Sequence, residues 1–330
     1  MTAEKRDGRS SGFVLVDFVA VLVVGLFIAG LLLVGGAETR RQAGLGKCIQ
    51  QLRQMGVATG SYEADNAGLI WAFSWRAGDS LSQWDDLNGA SNDLQAAANQ
   101  TVDIIRRRAD RPYFPRIGGW IPHVSFSYLV ISDYLGVDLP WGPAACPEDE
   151  PRLCWQINEE RFCECPLRPS CAGVGQRWPY SSSYEMGPTF YSEDGGLYQG
   201  QTHRTYSIRA GTRFGGKFLN QVDFPAAKAI LWEQAGRHFG PKHQYHAYEE
   251  ARLPILFVDG NVSVRATADA NPGWHPLLPD DPRATRYLYR PADWEAPTFS
   301  GSSGDIVTGH YRWTRGGLAG RDFGGPEVWD

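Results

Sequence analysis

Enzyme signatures and a basic charge excess are both missing from this chain of 330 residues. No H-E-x-x-H or Walker A motif occurs, and the one G-x-S-x-G match, residues 8–12, lies in the charged leader at the N-terminus. The formal net charge is −5, whereas nucleic-acid-binding domains usually carry a strong positive excess. We therefore predict a protein that is not an enzyme, needs no cofactor and has no nucleic-acid partner. A tethered hydrolase that uses isolated acidic residues is a weaker alternative.

Charge is also nearly absent from residues 13–36, where Asp17 is the only ionisable side chain. A helix that spans a bilayer needs about 20 mainly apolar residues, so this run predicts a single transmembrane helix. Basic residues in the leader, residues 1–12, favour a cytoplasmic N-terminus. The head is then expected in the periplasm or at the cell surface, held by a single pass through the cytoplasmic membrane. A plain signal anchor, with Asp17 reaching the membrane interface, is the simpler alternative.

Proline is absent from residues 13–62, which favours one uninterrupted helix about 75 Å long at 1.5 Å per residue. After the membrane run, residues 37–65 are predicted to form an amphipathic extension that ends in the D-N-A-G sequence of residues 65–68. Apolar or small residues recur there at the three-to-four spacing of one helix face. The predicted buried face contains Leu45, Cys48, Ile49, Leu52, Met55, Thr59 and Tyr62.

The start of the apolar run, Gly12 and Phe13 followed by Asp17, resembles the class III signal of type IV pilins and type II secretion pseudopilins. The resemblance implies that a prepilin peptidase cleaves after Gly12 and methylates the new N-terminus at Phe13. It also implies that Asp17, in place of the usual Glu, neutralises the terminal amine of a neighbouring subunit. The implied partners are the peptidase, the membrane, and other pilin-like subunits or copies of this chain.

The segment after the anchor, residues 47–68, resembles a large group of pilin-like proteins from Planctomycetes and related bacteria. Those proteins commonly read C-x-x-N-L-R-Q-x-G-x-A there, followed by Y and D-N-x-G, and Gln51 replaces the usual Asn. Later landmarks follow in the same order and close with His246 and the Asp259-Gly260 pair. The resemblance reaches to about residue 265 and implies a pilin-like head over residues 66–265 that ends in a His…Asp-Gly hairpin.

Five of the six cysteines lie between residues 146 and 171, and the sixth lies on the predicted helix. A head outside the cytoplasm favours disulfides, so residues 146–171 are predicted to form a disulfide-rich insertion. The pairing is open, and our guess bonds Cys48 to Cys146 or Cys165, both of which precede proline. A zinc knot is the alternative, although no C-x-x-C pair occurs. The disulfide candidates are Cys48, Cys146, Cys154, Cys163, Cys165 and Cys171.

Three histidines, His238, His243 and His246, lie close together in sequence with Glu233 nearby. Imidazole and carboxylate groups suit zinc and similar ions. A Gly-Pro step interrupts any helix that would align the first two histidines, however. We therefore predict loop histidines with ordinary hydrogen bonds and no metal site.

The Asp259-Gly260 pair lies between two strand-like runs, residues 253–258 and 261–265. Asp-Gly between such runs is a strong hairpin signal and favours a type I′ turn. Asp259 alone could be read as a catalytic or calcium-binding acid, but turn chemistry accounts for it.

The C-terminal part, residues 266–330, is rich in Pro, Gly and Trp and predicts an irregular extension with a short edge strand at residues 306–307. The predicted fold class is α+β: a long N-terminal helix, membrane-spanning in its first half, packed on an antiparallel β-sheet head. The expected function is a minor or specialised structural subunit of a type IV pilus-like or type II secretion pseudopilus filament. The alternative is a membrane-anchored extracellular module that binds carbohydrate through its tryptophans and does not polymerise.

Overall fold

Two compact units divide the chain, Met1–Ala43 and Gly44–Asp330. The computed structural model describes residues 15–328 except 137, 158, 194, 198–199, 209–210 and 212, and it describes no side chain of residues 15–17 and 28–37. Helices combine with antiparallel sheets, which confirms the α+β class. The helices are α1 Leu15–Asp65, α2 Asp93–Arg108, α3 His123–Phe126, α4 Ser132–Leu135 and α5 Glu150–Ile157. The strands are β1 Tyr184–Met186, β2 Ala229–Glu233, β3 Ala235–Gly236, β4 Gln244–Tyr245, β5 Arg252–Phe257, β6 Val262–Ala266, β7 Arg286–Tyr289 and β8 Asp305–Thr308.

Helix α1 is 51 residues long and ends where the sequence predicts. Beyond its last residue, the Asn66 amide donates to the Tyr62 carbonyl at 2.9 Å and the Gly68 amide donates to the Glu63 carbonyl at 2.7 Å. Gly68 has a φ of +80°, a left-handed conformation that glycine adopts without steric cost. This C-terminal cap satisfies carbonyl groups that the last helical turn would otherwise leave without partners.

The part of α1 that belongs to the second unit, residues 44–65, buries one face in the head. Cys48, Leu52 and Met55 are fully buried there, at the spacing that the sequence predicts. The side chains of Leu52 and Met55 join a core that includes Leu256 of β5. On the opposite face of the same helix, Val57 is 72% exposed. The predicted amphipathic face is therefore confirmed.

A four-stranded antiparallel sheet with the order β1-β2-β5-β6 forms the centre of the head. Its two faces contribute to two cores, because successive strand residues point to opposite sides. Leu231 and Leu256 face the core that contains α1, whereas Trp232 and Ile255 face the other core. The register of β2 on β5 shifts between residues 229 and 231, as in a β-bulge. The sheet therefore has no solvated face over much of its area.

The hairpin of β5 and β6 confirms the strand prediction but not the predicted turn. A type I′ turn needs a positive φ at both central residues, and among the loop residues only Gly260 has one, at +83°. The Gly260 amide donates to the Phe257 carbonyl at 2.9 Å, and the Phe257 amide donates to the Asn261 carbonyl at 2.8 Å. This is the longer loop in which a tight turn is followed by a left-handed glycine bulge.

The C-terminal part of the chain is more regular than predicted. Strands β7 and β8 pair antiparallel, with Leu288 opposite Ile306, which confirms a strand at residues 306–307. Aromatic side chains from this region join Trp232 in the second core, because they cover the sheet face that α1 does not. These aromatic residues are Tyr287, Tyr289, Tyr311, Trp313 and Phe323. The prediction of an irregular extension was wrong in this respect.

Candidate functional site

The N-terminal segment of α1, residues 18–27, exposes every one of its side chains. Eight large apolar residues lie there. Phe18 is 53% exposed, Leu26 is 73% exposed and Phe27 is 68% exposed. Apolar patches of this kind on a folded chain normally mark a surface that binds a membrane or another protein. Over the residues that the structure describes, no helix combines the length and the apolar character needed to cross a membrane.

The predicted processing and assembly residues are only partly within the described chain. Gly12 and Phe13 lie outside the described residues. Asp17 lies on α1, but its side chain is not among those described. Cleavage after Gly12, methylation of Phe13 and the pairing of Asp17 with a neighbour's amine all stay predictions.

The cysteines form two disulfides in the predicted insertion, Cys154–Cys165 and Cys163–Cys171. The guess that Cys48 bonds to Cys165 was therefore wrong, since Cys165 already has a partner that lies close to it in sequence. Cys48 does meet Cys146, with their Sγ atoms 2.9 Å apart, but both are free thiols rather than a disulfide. The cysteines thus make two kinds of contact. Four of them form disulfides within the insertion, and the thiol of Cys146, the first residue of the insertion, meets the thiol of Cys48 on α1.

Two residues from the histidine-rich region lie beside these free thiols. His238 Nε2 is 3.2 Å from Cys48 Sγ and 3.3 Å from Cys146 Sγ. Glu233 Oε2 is 3.7 Å from the same ring nitrogen. All four residues are buried, and burial raises the pKa of the Glu233 carboxyl to about 7. The structure thus assembles a buried cluster that could hold a metal ion.

The other two histidines are separate from the cluster. His243 is exposed, and His246 is fully buried, with its ring 5.7 Å from the ring of Trp232 and 4.3 Å from that of Tyr245. Burial lowers the pKa of His246 well below its ordinary value, so the ring is neutral. The residues of the predicted hairpin landmark therefore differ in their surroundings: His246 is an uncharged core histidine, and Asp259 and Gly260 lie in an exposed turn. Asp259 accepts from the Asn261 amide at 2.9 Å, which fits the turn interpretation.

A cavity of about 780 Å³ lies in the head and combines aromatic with charged residues. Three indole rings, those of Trp120, Trp178 and Trp294, contribute to its wall. The Arg177 guanidinium lies 5.0 Å from the ring centre of Trp120 and 5.4 Å from that of Trp178. Binding sites for small molecules typically combine apolar walls with a few polar groups in this way.

Two carboxyl groups in this cavity have opposite pKa shifts. Burial raises the pKa of Glu185 to about 7, and the charge of Arg312 opposes this only in part. Burial acts in the same direction on Glu295, but hydrogen bonds from His203 and Arg204 outweigh it and lower the pKa to about 2. His203 Nε2 lies 3.1 Å from Glu295 Oε1. Near neutral pH the cavity therefore offers one ionised carboxylate and one carboxyl group that exchanges protons.

Arg152 and Arg237, which also line the cavity, belong to a buried ion-pair network centred on Asp149. Arg237 Nη2 donates to Asp149 Oδ2 at 2.9 Å, and Arg152 Nε donates to the same oxygen at 3.2 Å. Burial alone would raise the pKa of Asp149, but the two guanidinium groups lower it to about 2. The same Arg237 donates to Glu233 Oε1 at 3.0 Å, which connects this network to the cysteine cluster.

Comparisons with models of protein families, with curated proteins and with solved structures each found no match. The sequence indicated the separate members of the cysteine cluster but not their grouping. Cys48 and Cys146 are 98 residues apart, and Glu185 lies in the predicted head whereas Glu295 lies in the C-terminal part of the chain. No spacing rule joins residues that are so far apart along the chain. The high tryptophan count was the only sequence signal for the cavity.

Proposed function

We propose that this protein is a structural subunit of a filament of the type IV pilus or type II secretion pseudopilus kind. The exposed apolar segment of α1, residues 18–27, carries this proposal. Burying the exposed half of each large apolar side chain there would contribute on the order of 1 kcal/mol. These side chains are exposed, and in the proposed assembly a membrane or neighbouring helices cover them.

The proposed assembly follows from the segment and from the resemblance of the N-terminus. The prepilin peptidase removes residues 1–12, and the helix then stays in the cytoplasmic membrane until it joins a filament. In the filament the apolar segments bundle, and the carboxylate of Asp17 pairs with the methylated amine of Phe13 on a neighbour. An ionised group in an apolar bundle is costly unless it is paired, so this contact would also fix the register of the helices.

The head is proposed to lie outside the cytoplasm, on the filament surface. Two disulfides within residues 154–171 support this placement, since disulfides persist in oxidising compartments. Residues 44–65 of α1 support a subunit that joins an assembly helix to a head, because they bury Leu52 and Met55 in the head core. A minor or specialised subunit fits a head of this size.

Crosslinking in membranes tests the proposed assembly. Val21→Cys places a thiol in the apolar segment, and Val57→Cys places one on an exposed face of the same helix within the head. A short bismaleimide should join Val21→Cys subunits into dimers and higher products but leave Val57→Cys mostly monomeric. The natural cysteines should not react, because they are buried or bonded in disulfides. Monomers alone for both variants would contradict assembly.

A second candidate function is binding of carbohydrate in the head cavity, favoured by its three indole rings and its charged residues. Aromatic faces stack on the apolar faces of sugars, and the polar groups of the wall would fix orientation. Titration with neutral and acidic oligosaccharides, followed by tryptophan fluorescence, tests this. Trp294→Ala should abolish a response that Tyr113→Ala, at a 96% exposed position, leaves intact.

A further inference from the structure

We propose that Cys48, Cys146, Glu233 and His238 together bind one Zn²⁺ ion. Their four ligand atoms all lie within 4.8 Å of one another. The residues come from separate parts of the second unit: α1, the loop before α5, the end of β2 and the loop after β3. Four side chains of metal-ligating types therefore meet at one point although they lie on four separate segments. Secondary structure alone does not bring them together, and a shared metal ion would explain why they meet.

The distances among the ligand atoms approach those of a tetrahedral zinc site. Zn–S bonds of about 2.3 Å and Zn–N or Zn–O bonds of about 2.0–2.2 Å imply ligand separations of roughly 3.4–3.8 Å. The separations here are 3.2 and 3.3 Å from the imidazole nitrogen to the two sulfurs, and 3.7 Å from it to the carboxylate. The two sulfurs are 2.9 Å apart and would have to separate by about 0.9 Å to reach the spacing expected around a zinc ion.

The carboxylate of Glu233 points one oxygen towards the cluster. Its Oε1 accepts a hydrogen bond from Arg237 at 3.0 Å, which fixes the orientation of the group. Its Oε2 is buried and has no nitrogen or oxygen donor within hydrogen-bond distance among the described residues. A buried carboxylate oxygen without a donor is costly, and a bound cation would remove that cost. This oxygen is the observation that points to a missing positive charge.

The surroundings of the cluster suit thiolate ligands. The Cys146 amide donates to Ser183 Oγ at 3.0 Å, and the Glu148 amide approaches Cys146 Sγ at 3.5 Å. Such outer contacts orient the ligands of metal sites. One turn before Cys48, Gly44 leaves space chiefly for Glu148, since a Cβ built there would lie 2.8 Å from Glu148 Oε1 and 3.4 Å from His238 Cε1. Two thiolates and a carboxylate would outweigh the charge of Zn²⁺ by one, and Arg237 lies beside them to offset it.

The donor set and the burial indicate zinc in a structural role. Two sulfurs, one imidazole and one carboxylate suit a tetrahedral zinc ion better than the hard cations Ca²⁺ and Mg²⁺. Four protein ligands leave no open position for water or substrate, and all four residues are buried. The ion would tie α1 to the loop before α5 and to strand β2. The proposal differs from the sequence-based expectation that the chain has no metal site.

A disulfide between Cys48 and Cys146 is the competing chemistry for the same sulfurs. It would need a two-electron oxidant and would leave both the imidazole and the carboxylate without a ligand role. The proposed site uses all four side chains, and each bound thiol releases its proton when the metal binds. The two chemistries exclude each other, because a disulfide sulfur no longer serves as a thiolate ligand.

Metal analysis of the full-length chain tests the proposal. The chain is purified from membranes in detergent, without reductant or chelator, and we expect about one zinc per chain. Glu233→Gln and His238→Gln should each lower the zinc content severalfold while keeping the helical circular dichroism. Replacement of zinc by Co²⁺ should give the thiolate charge-transfer absorption in the near ultraviolet, which Cys48→Ser should weaken.

Matched variants and thiol mapping make the outcome decisive. His243→Gln changes an exposed histidine five positions away, and Cys163→Ser with Cys171→Ser removes a disulfide outside the cluster; both should keep the zinc. Alkylation of the unreduced, unfolded protein after chelation should label Cys48 and Cys146. A folded, metal-free chain whose peptides are joined through Cys48 and Cys146 would overturn the proposal. So would zinc that all of these variants retain.

Discussion

Two parts of helix α1, residues 18–27 and residues 44–65, differ in the burial of their apolar side chains. The first part exposes apolar side chains all round, with Leu26 at 73%. The second part buries Leu52 completely and leaves Val57 at 72% exposed. Both parts are helical, so helix formation alone does not distinguish them. What differs is where the cover for the apolar side chains comes from.

The comparison indicates that the chain supplies cover for one part of the helix but not for the other. Residues 44–65 meet the sheet and complete the core of the head. For residues 18–27 the described chain supplies no such core. A helix that is apolar on all sides is stable only in lipid or among other helices. The proposed filament assembly follows from this difference.

Charges placed in the apolar segment should have the largest effect. Val21→Lys with Val24→Lys should release the full-length chain from sedimented membranes, because each lysine would cost about 2.5–3.5 kcal/mol near a bilayer centre. Val57→Lys is the control, and its surface position should change stability by less than about 0.5 kcal/mol. Sedimentation followed by immunoblotting measures the retained fraction. Equal retention of the double variant and the control would remove the distinction between the two parts of α1.

Truncation of a core residue should have the next largest effect. Leu52→Ala deletes a fully buried side chain and should lower the free energy of unfolding of the head by about 2–5 kcal/mol. Val57→Ala, on the exposed face of the same helix, should have little effect. Thermal unfolding followed by circular dichroism in detergent compares the two. Similar melting temperatures would mean that residues 44–65 do not pack in the head as described.

The smallest expected effect concerns Glu63, at the end of the covered part. Burial raises the pKa of its carboxyl to about 7, and Oε1 has no hydrogen-bond partner in the described structure. The folded state therefore binds more protons than the unfolded state between the ordinary pKa, near 4.5, and about 7. The stability that the protonated carboxyl gives to the folded state is fully present below the ordinary pKa and is lost as pH rises through 7.

Substitution by glutamine isolates this pH dependence. Glu63→Gln should reduce the fall in melting temperature between about pH 5 and pH 8, which is roughly the range of the pKa shift of Glu63. The substitution should stabilise the protein most at the highest pH of this range. The exposed Glu249 serves as the control carboxyl, and Glu249→Gln should leave the slope as it is in the unsubstituted chain. An unchanged slope for Glu63→Gln would show that the Glu63 carboxyl titrates normally.

Local patterns in the sequence predicted much of the fold. The spacing of Leu52 and Met55 predicted the covered helix face, and Asp259-Gly260 predicted the hairpin, because these signals act over a few residues. The turn class was wrong, since the choice between loop types depends on the pairing of β5 with β6. The order of the aromatic residues in the C-terminal part did not reveal that they cover a sheet face.

The candidate sites depended on contacts that no local pattern encodes. Cys48 and Cys146 meet because α1 packs on the head, and the three-dimensional arrangement then adds Glu233 and His238. The histidine spacing alone pointed away from a metal site, because it places no pair of histidines on one helix face, whereas the cluster takes its ligands from four segments. Sequence motifs identify metal sites when the ligands come from a compact unit, and this cluster does not.

Mass spectrometry of the N-terminal peptide tests the central claim most directly. The sample is the full-length chain from the native membrane or from material sheared from the cell surface. Assembly as a filament subunit predicts a peptide that begins with N-methylated Phe13. An intact leader that continues through Gly12 would contradict the account, because an uncleaved chain cannot present the terminal amine that Asp17 is proposed to neutralise.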